Sequence, residues 1–225
     1  DPFPGLLDLL PGAAAGVAGL VGLGALYRGL SIGAMGIVAP ISAAGPVVPL
    51  TLDLAQGTVP SALQWLGIAL VLAGIATLSL EQPADGPRRI AEGAGLALVA
   101  ALGFGAFFVG IDSAADESVS WAVGAARLSA VVIAFGAVAV MSAPLVPPRS
   151  LVPALVGVGV FDTGANVSVA YATTEGAVGI VAILSALYPV VTVVLARIFL
   201  HERLSGGRRV AAAAALAGAA LVAAG

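Results

Sequence analysis

Between its charged residues and its Pro/Gly breaks, the chain runs almost wholly apolar, and the lengths of those runs set the architecture. A helix needs about 20 apolar residues to cross the hydrocarbon core of a bilayer. On that rule the sequence predicts eight crossing helices, at residues 9–27, 30–52, 61–80, 91–111, 119–142, 151–172, 176–200 and 208–224. The connections are short, and the longest is the polar stretch EQPADGPRR at 81–89. Trp65 and Trp121 fall near predicted span ends, where amphipathic rings sit at the membrane interface. The expected fold class is all-α, a polytopic membrane protein of eight transmembrane helices.

The pattern repeats. GAMGIVAPISAAGPVV at 33–48 returns as GAVGIVAILSALYPVV at 176–191, with 11 of 16 positions identical. LAG at 72–74 returns at 216–218, and Tyr27 returns as Tyr171. The two copies lie in the second and seventh predicted spans, so moving from one to the other makes five crossings. An odd number of crossings reverses the sense of the chain, which is an inverted-topology repeat of the kind found in many secondary transporters. The second copy has three spans of its own five-span unit ahead of it and the first has one. Two further helices are therefore expected upstream of Asp1, completing a ten-helix fold. Residues 1–80 are then the last three helices of a first repeat, 81–90 a polar linker and 91–225 a complete second repeat.

Composition narrows the class. The 225 residues are 60% hydrophobic and 9% charged, with a mean hydropathy of +1.11, whereas a soluble domain carries about 25% charged residues. The net charge of −3 points to no partner, and no basic-aromatic stripe suggests nucleic acid. There is no Cys, and His201 is the only His, so thiolate and multi-His metal sites are excluded within one chain. The sequence also lacks Lys, which removes the P-loop lysine and Schiff-base chemistry, and with them an ATP-driven pump on this chain alone. HERL at 201–204 is half of an H-E-x-x-H motif, but Ser205 stands where the second His is required. No metal or cofactor is expected.

Arg28, Arg88, Arg89, Arg149, Arg203, Arg208 and Arg209 are expected in loops on one side, with Arg197 close by; the opposite loops hold Asp112, Asp116, Glu117 and Glu175. The positive-inside rule makes the Arg side cytoplasmic, in a multi-pass protein of the cell membrane.

Residues 185–221, SALYPVVTVVLARIFLHERLSGGRRVAAAAALAGAAL, carry a further pattern: Pro189 early in the penultimate helix, a Glu-containing turn at Glu202, and Gly218 late in the last helix. Pro46, Ser61 and Gly74 echo it in the first half. This resembles the drug/metabolite transporter superfamily, EamA type. The resemblance implies two inverted five-helix halves around a central cavity, exporting or exchanging small metabolites without ATP. The acidic turn LHERLS of the second half is QGTVPS in the first, which departs from a Glu in both halves.

Ionisable groups at membrane depth mark functional sites by default. Asp162 lies near the centre of the sixth span, with Asn166 and Thr173 on the same helical face and Thr163 and Tyr171 beside it. Arg127 lies about eight residues into the fifth, antiparallel span, at a depth similar to that of Asp162. Asp162 could bind a proton or a cationic substrate group with Arg127 as partner or anion site; the pair could equally be a permanent tie between helices, or Arg127 could snorkel to the interface. Pro40, Pro46 and Pro49 in the second span and Pro189 in the seventh each remove a helix hydrogen bond. Pro46 and Pro189 are repeat-equivalent, which suggests a shared hinge, with Ser185, Tyr188 and Thr192 as cavity hydroxyls. Glu202 is expected to cap or pair at the cytoplasmic turn. The Gly/Ala runs at 12–24 and 93–105 read as close helix contacts.

Three functions compete. A secondary transporter or facilitator of small metabolites or drugs, with export favoured and proton coupling as one role for Asp162, agrees with the repeat, the broken helices and the polar groups. A non-transporting membrane scaffold of the same fold predicts no accessible cavity. An intramembrane lipid-phosphate enzyme would need clustered His, Asp or Arg, which the sequence lacks. The partners expected are the lipid bilayer and a small-molecule substrate, with no nucleic acid.

Overall fold

Nine α-helices and one 3₁₀ turn make up the described part of a computed structural model, which covers residues 3–33, 35–80, 90–141, 148–188, 190–191 and 206–225. In chain order the helices are α1 (Leu10–Ile32), α2 (Met35–Ser42), α3 (Val47–Ala55), α4 (Ala62–Leu80), α5 (Ile90–Ala115), α6 (Val119–Met141), α7 (Val152–Glu175), α8 (Val178–Ser185) and α9 (Gly206–Ala224). The 3₁₀ turn Arg149–Leu151 leads into α7.

Four stretches are each long and apolar enough to cross a membrane: Leu10–Ile32, Gly93–Ala115, Val119–Val140 and Arg149–Glu175. Ala62–Leu78 and Arg209–Ala224 are shorter apolar helices. The remaining two of the eight predicted spans are interrupted. Span 30–52 is two helices, α2 and α3, and its first residues belong to α1. Span 176–200 starts as the eight-residue α8, which ends at Ser185. Arg28, expected in a loop, lies inside the last turns of α1, because the apolar run carries on past it to Ile32.

The element boundaries recur with the sequence repeat. α2 and α8 are both eight residues long, at 35–42 and 178–185. α1 ends at Ile32 and α7 at Glu175, the same 143-residue step. α4 and α9 are both 19 residues long and start 144 residues apart, at Ala62 and Gly206.

The chain packs as two compact units, one of residues 1–20 and 106–176, the other of 21–105 and 177–225. Each draws on both halves of the repeat. In the first, Ala15, Ile111, Ala114, Ala122, Val123, Ala126 and Ala170 form a buried core, with Gly12 and Gly16 of α1 against Ala122 and Ala126 of α6. The Ser129 hydroxyl donates to the Ala13 carbonyl at 2.8 Å, and the Phe3 ring meets Trp121 edge-on at 5.1 Å.

In the second unit, α4 packs along α9. Apolar burial does little to hold helices together in lipid, so close backbone approach must supply the contact. A Cβ on Gly67 would lie 2.6 Å from the Gly218 carbonyl oxygen, and one on Gly218 equally close to that of Gly67. A Cβ on Gly74 would meet the Ala211 carbonyl oxygen at 2.6 Å. Val71, Ile75, Ile183, Ala186 and Val222 are buried around this crossing, and Leu78, Val190, Ala211 and Ala215 form a second cluster.

Candidate functional site

In the first unit, α6 and α7 bring Arg127 and Asp162 together. Arg127 Nη1 lies 2.6 Å from Asp162 Oδ2, and Nη2 donates to the Asp162 carbonyl at 2.9 Å. One guanidinium thus grips the charge and the backbone of the same residue, a use of its planar fork that lysine could not copy. Asn166 Nδ2 donates to the same Asp162 carbonyl at 2.8 Å, so it braces the backbone rather than the carboxylate. The pair is open, with side chains 35% and 57% exposed. Phe107, Ile111, Val123, Ala126, Arg127 and Asn166 line a recess of about 30 Å³, room for one or two waters. Thr173 is buried, and its hydroxyl donates to Ala170 within its own helix at 3.1 Å. Eleven residues at about 1.5 Å each put it roughly 16 Å along α7 from Asp162, away from the ion pair.

In the second unit the two interrupted helices break alike. Pro46, at the N-cap of α3, has no N–H to continue a helix from α2. Pro49 sits in the first turn of α3, where a missing N–H is tolerated, and Pro40 lies within the continuous α2, so the break falls at 43–46. Ala43 donates to Ala39, Ala44 to Ile41 and Val47 to Ala44; the repeat-equivalent bonds Ala186 to Ala182, Leu187 to Leu184 and Val190 to Leu187 are all present. Each of the last two pairs spans three residues, the tighter pattern that closes a helix end. Ser42 Oγ donates to the Val38 carbonyl at 2.7 Å and Ser185 Oγ to that of Val181 at 2.8 Å. Tyr188, beyond the second break, is half exposed. Pro189, Thr192 and Glu202 lie outside the described residues.

Between these helices lies a residue the sequence reading passed over. Asp53 of α3 is 5% exposed, and its Oδ2 accepts the backbone N–H of Gly179 at 2.7 Å. Gly179 is in the first turn of α8, whose N-cap, Ala177, has no side-chain oxygen to offer the free amides. Asp53 therefore does from α3 what a capping residue would do locally, and its charge suits the positive end of the helix. The approach depends on glycine: a Cβ on Gly179 would stand 2.6 Å from Leu50 Cα and 2.7 Å from Asp53 Oδ2. A sequence signal existed, since Asp53 is the sole acidic residue between Asp8 and Glu81. It was missed because it falls one residue beyond the predicted end of its span.

No group of three or more His, Asp or Glu that could hold a metal occurs among the described residues. A solved structure described only as "Crystal structure of protein" is similar, with a TM-score of 0.72 at 19% identity over 95% of this chain and 86% of its own length; at that identity the likeness concerns the fold. No curated protein matches. The EamA-like transporter family matches residues 91–224, more than half of a multi-pass chain whose repeated sequence and paired helix breaks are already evident. This chain belongs to the EamA-like transporter family.

Proposed function

We propose that the protein is a secondary transporter of the cell membrane that exports small metabolites or drugs without ATP, through a fold of two inverted five-helix repeats. The observation that carries this reading is the α4·α9 crossing. The repeat step of 144 turns Gly67 into Ala211 and Gly74 into Gly218, so it converts the Gly67–Gly218 contact into the Ala211–Gly74 contact, and both are made. Position numbers rise along one helix as they fall along the other, so the pair is antiparallel. Such an exchange corresponds to a local two-fold axis perpendicular to the helices. For helices that cross a bilayer, that axis lies in the membrane plane, the symmetry of inverted-repeat transporters.

The matched breaks support a transport path, because interrupted helices expose backbone groups only where they line protein or a wet cavity. In this reading Pro46 and Pro189 are the hinges, and Tyr188 offers a hydroxyl beside the second break. Asp162 receives a proton or cationic substrate group, with Arg127 holding the carboxylate between turnovers. Asn166 and Thr173 bond to backbone carbonyls of α7 itself and contribute to the helix that carries Asp162, and Glu202 caps or pairs at the cytoplasmic turn.

Profiling of small molecules inside and outside cells over time, with wild type and Asp162→Asn at matched membrane abundance, tests the proposal. At least one compound should leave wild-type cells faster than control cells, and the substitution should slow it at least tenfold. Efflux unchanged by Asp162→Asn would make the ion pair a structural tie. If no compound across a broad panel responds to wild type, the transporter reading fails.

A further inference from the structure

We infer that Asp53 is a latch that fastens the two interrupted helices to each other, and that the latch must open during each transport cycle; the second part rests on the transporter reading above. The two helices meet through few polar atoms. α8 carries no charged or hydroxyl side chain before Ser185, and Asp53 is the only charged residue of α3. Its contact with Gly179 is therefore the one charge-assisted bond that the described residues place between α3 and α8. Close packing at Leu50 and Gly179 keeps water from the carboxylate, which strengthens the bond while it is closed.

The bond can also be released in one step. It joins a single carboxylate oxygen to a single backbone amide, and the remainder of the contact is an apolar and glycine surface that can separate without breaking another bond of this kind. The sequence writes this acceptor only once. The equivalent of Gly179 is Gly36, but the steps of 143 and 144 set Asp53 against Ala196 or Arg197, neither of which has an acceptor side chain.

The sequence contains no cysteine, so a single introduced thiol reports without background. Ala177→Cys places that thiol at the N-cap of α8, and its rate of labelling by a membrane-permeant maleimide reports release of the helix start. Adding Asp53→Ala should raise that rate at least fivefold. Asp53→Asn retains an oxygen acceptor and should stay within twofold of the Asp53 parent; labelling well below the melting temperature of both variants guards against general unfolding. Equal labelling in the Asp53 and Asp53→Ala backgrounds overturns the latch, as does equal acceleration by Ala and Asn. Faster labelling with efflux unaltered overturns its place in the cycle. If labelling responds while wild type moves no solute, the latch stands and the transporter reading falls.

Discussion

Asp53 and Asp162 are both acidic residues on apolar helices, but their surroundings are opposite. Asp162 is 57% exposed and faces the full charge of Arg127 at 2.6 Å. Asp53 is 5% exposed and faces one backbone amide at 2.7 Å. The Asp162–Arg127 pair is open on one side, so a proton or cation can reach the carboxylate and take the place of the guanidinium. A buried acceptor has no substitute partner, so removing it strands the amide it satisfied. The difference separates two tasks. Asp162 is reachable and can exchange partners, as a binding group must, whereas Asp53 is enclosed and fixes where α8 begins.

The comparison predicts a ranking of stabilities, read by thermal unfolding of the purified protein in detergent. Gly179→Val should be the most damaging, by about 3 kcal/mol, since its side chain would enter the Leu50 backbone of α3. A loss below about 1 kcal/mol would mean that the α3·α8 contact is loose and that Asp53 is not truly enclosed. Asp53→Ala should follow at about 2 kcal/mol, the worth of a charge-assisted bond. Asp162→Asn should cost less than Asp53→Ala, about 1 kcal/mol, because Asn keeps an oxygen for Arg127 and the Arg127 bond to the backbone carbonyl remains, while strongly slowing efflux; a loss equal to that of Asp53→Ala would place both acids in the same structural role. Ser42→Ala and Ser185→Ala should each cost about 0.5 kcal/mol or less, and by equal amounts, because both hydroxyls bond only within their own helices. Unequal costs would show that the two breaks are not energetically alike.

Much of this was legible in the residue pattern. The apolar runs located every described long helix, since length and apolarity are the properties a membrane selects. Antiparallel neighbours and helical rise put Arg127 and Asp162 at similar depth, but left open whether they pair or Arg127 turns to the interface; the structure pairs them. Proline chemistry pointed to breaks in the second and seventh spans. Apolarity alone could not show where a break falls, and span 30–52 reads as one run because α2 and α3 are both strongly apolar on either side of the turn. Arg28 was misplaced for the related reason that a single charge does not end a helix whose apolar residues continue. Asp53 was overlooked because its partner is a backbone amide 126 residues away, and a glycine in sequence does not announce which helix will lie against it. Thr173 shared a predicted face with Asp162, but a shared face does not place two residues in one site when three turns separate them.

The reversal of sense between the two copies is tested most directly by the sidedness of two repeat-equivalent exposed positions, Ser31 at the end of α1 and Thr174 at the end of α7. Single cysteines at each would be treated with a membrane-impermeant maleimide on intact cells, then again after permeabilisation. Inverted repeats with the arginine-rich side in the cytoplasm predict that Thr174→Cys labels from outside and Ser31→Cys only after permeabilisation. Labelling of both from the same side would contradict the inverted repeat and the transport mechanism built on it.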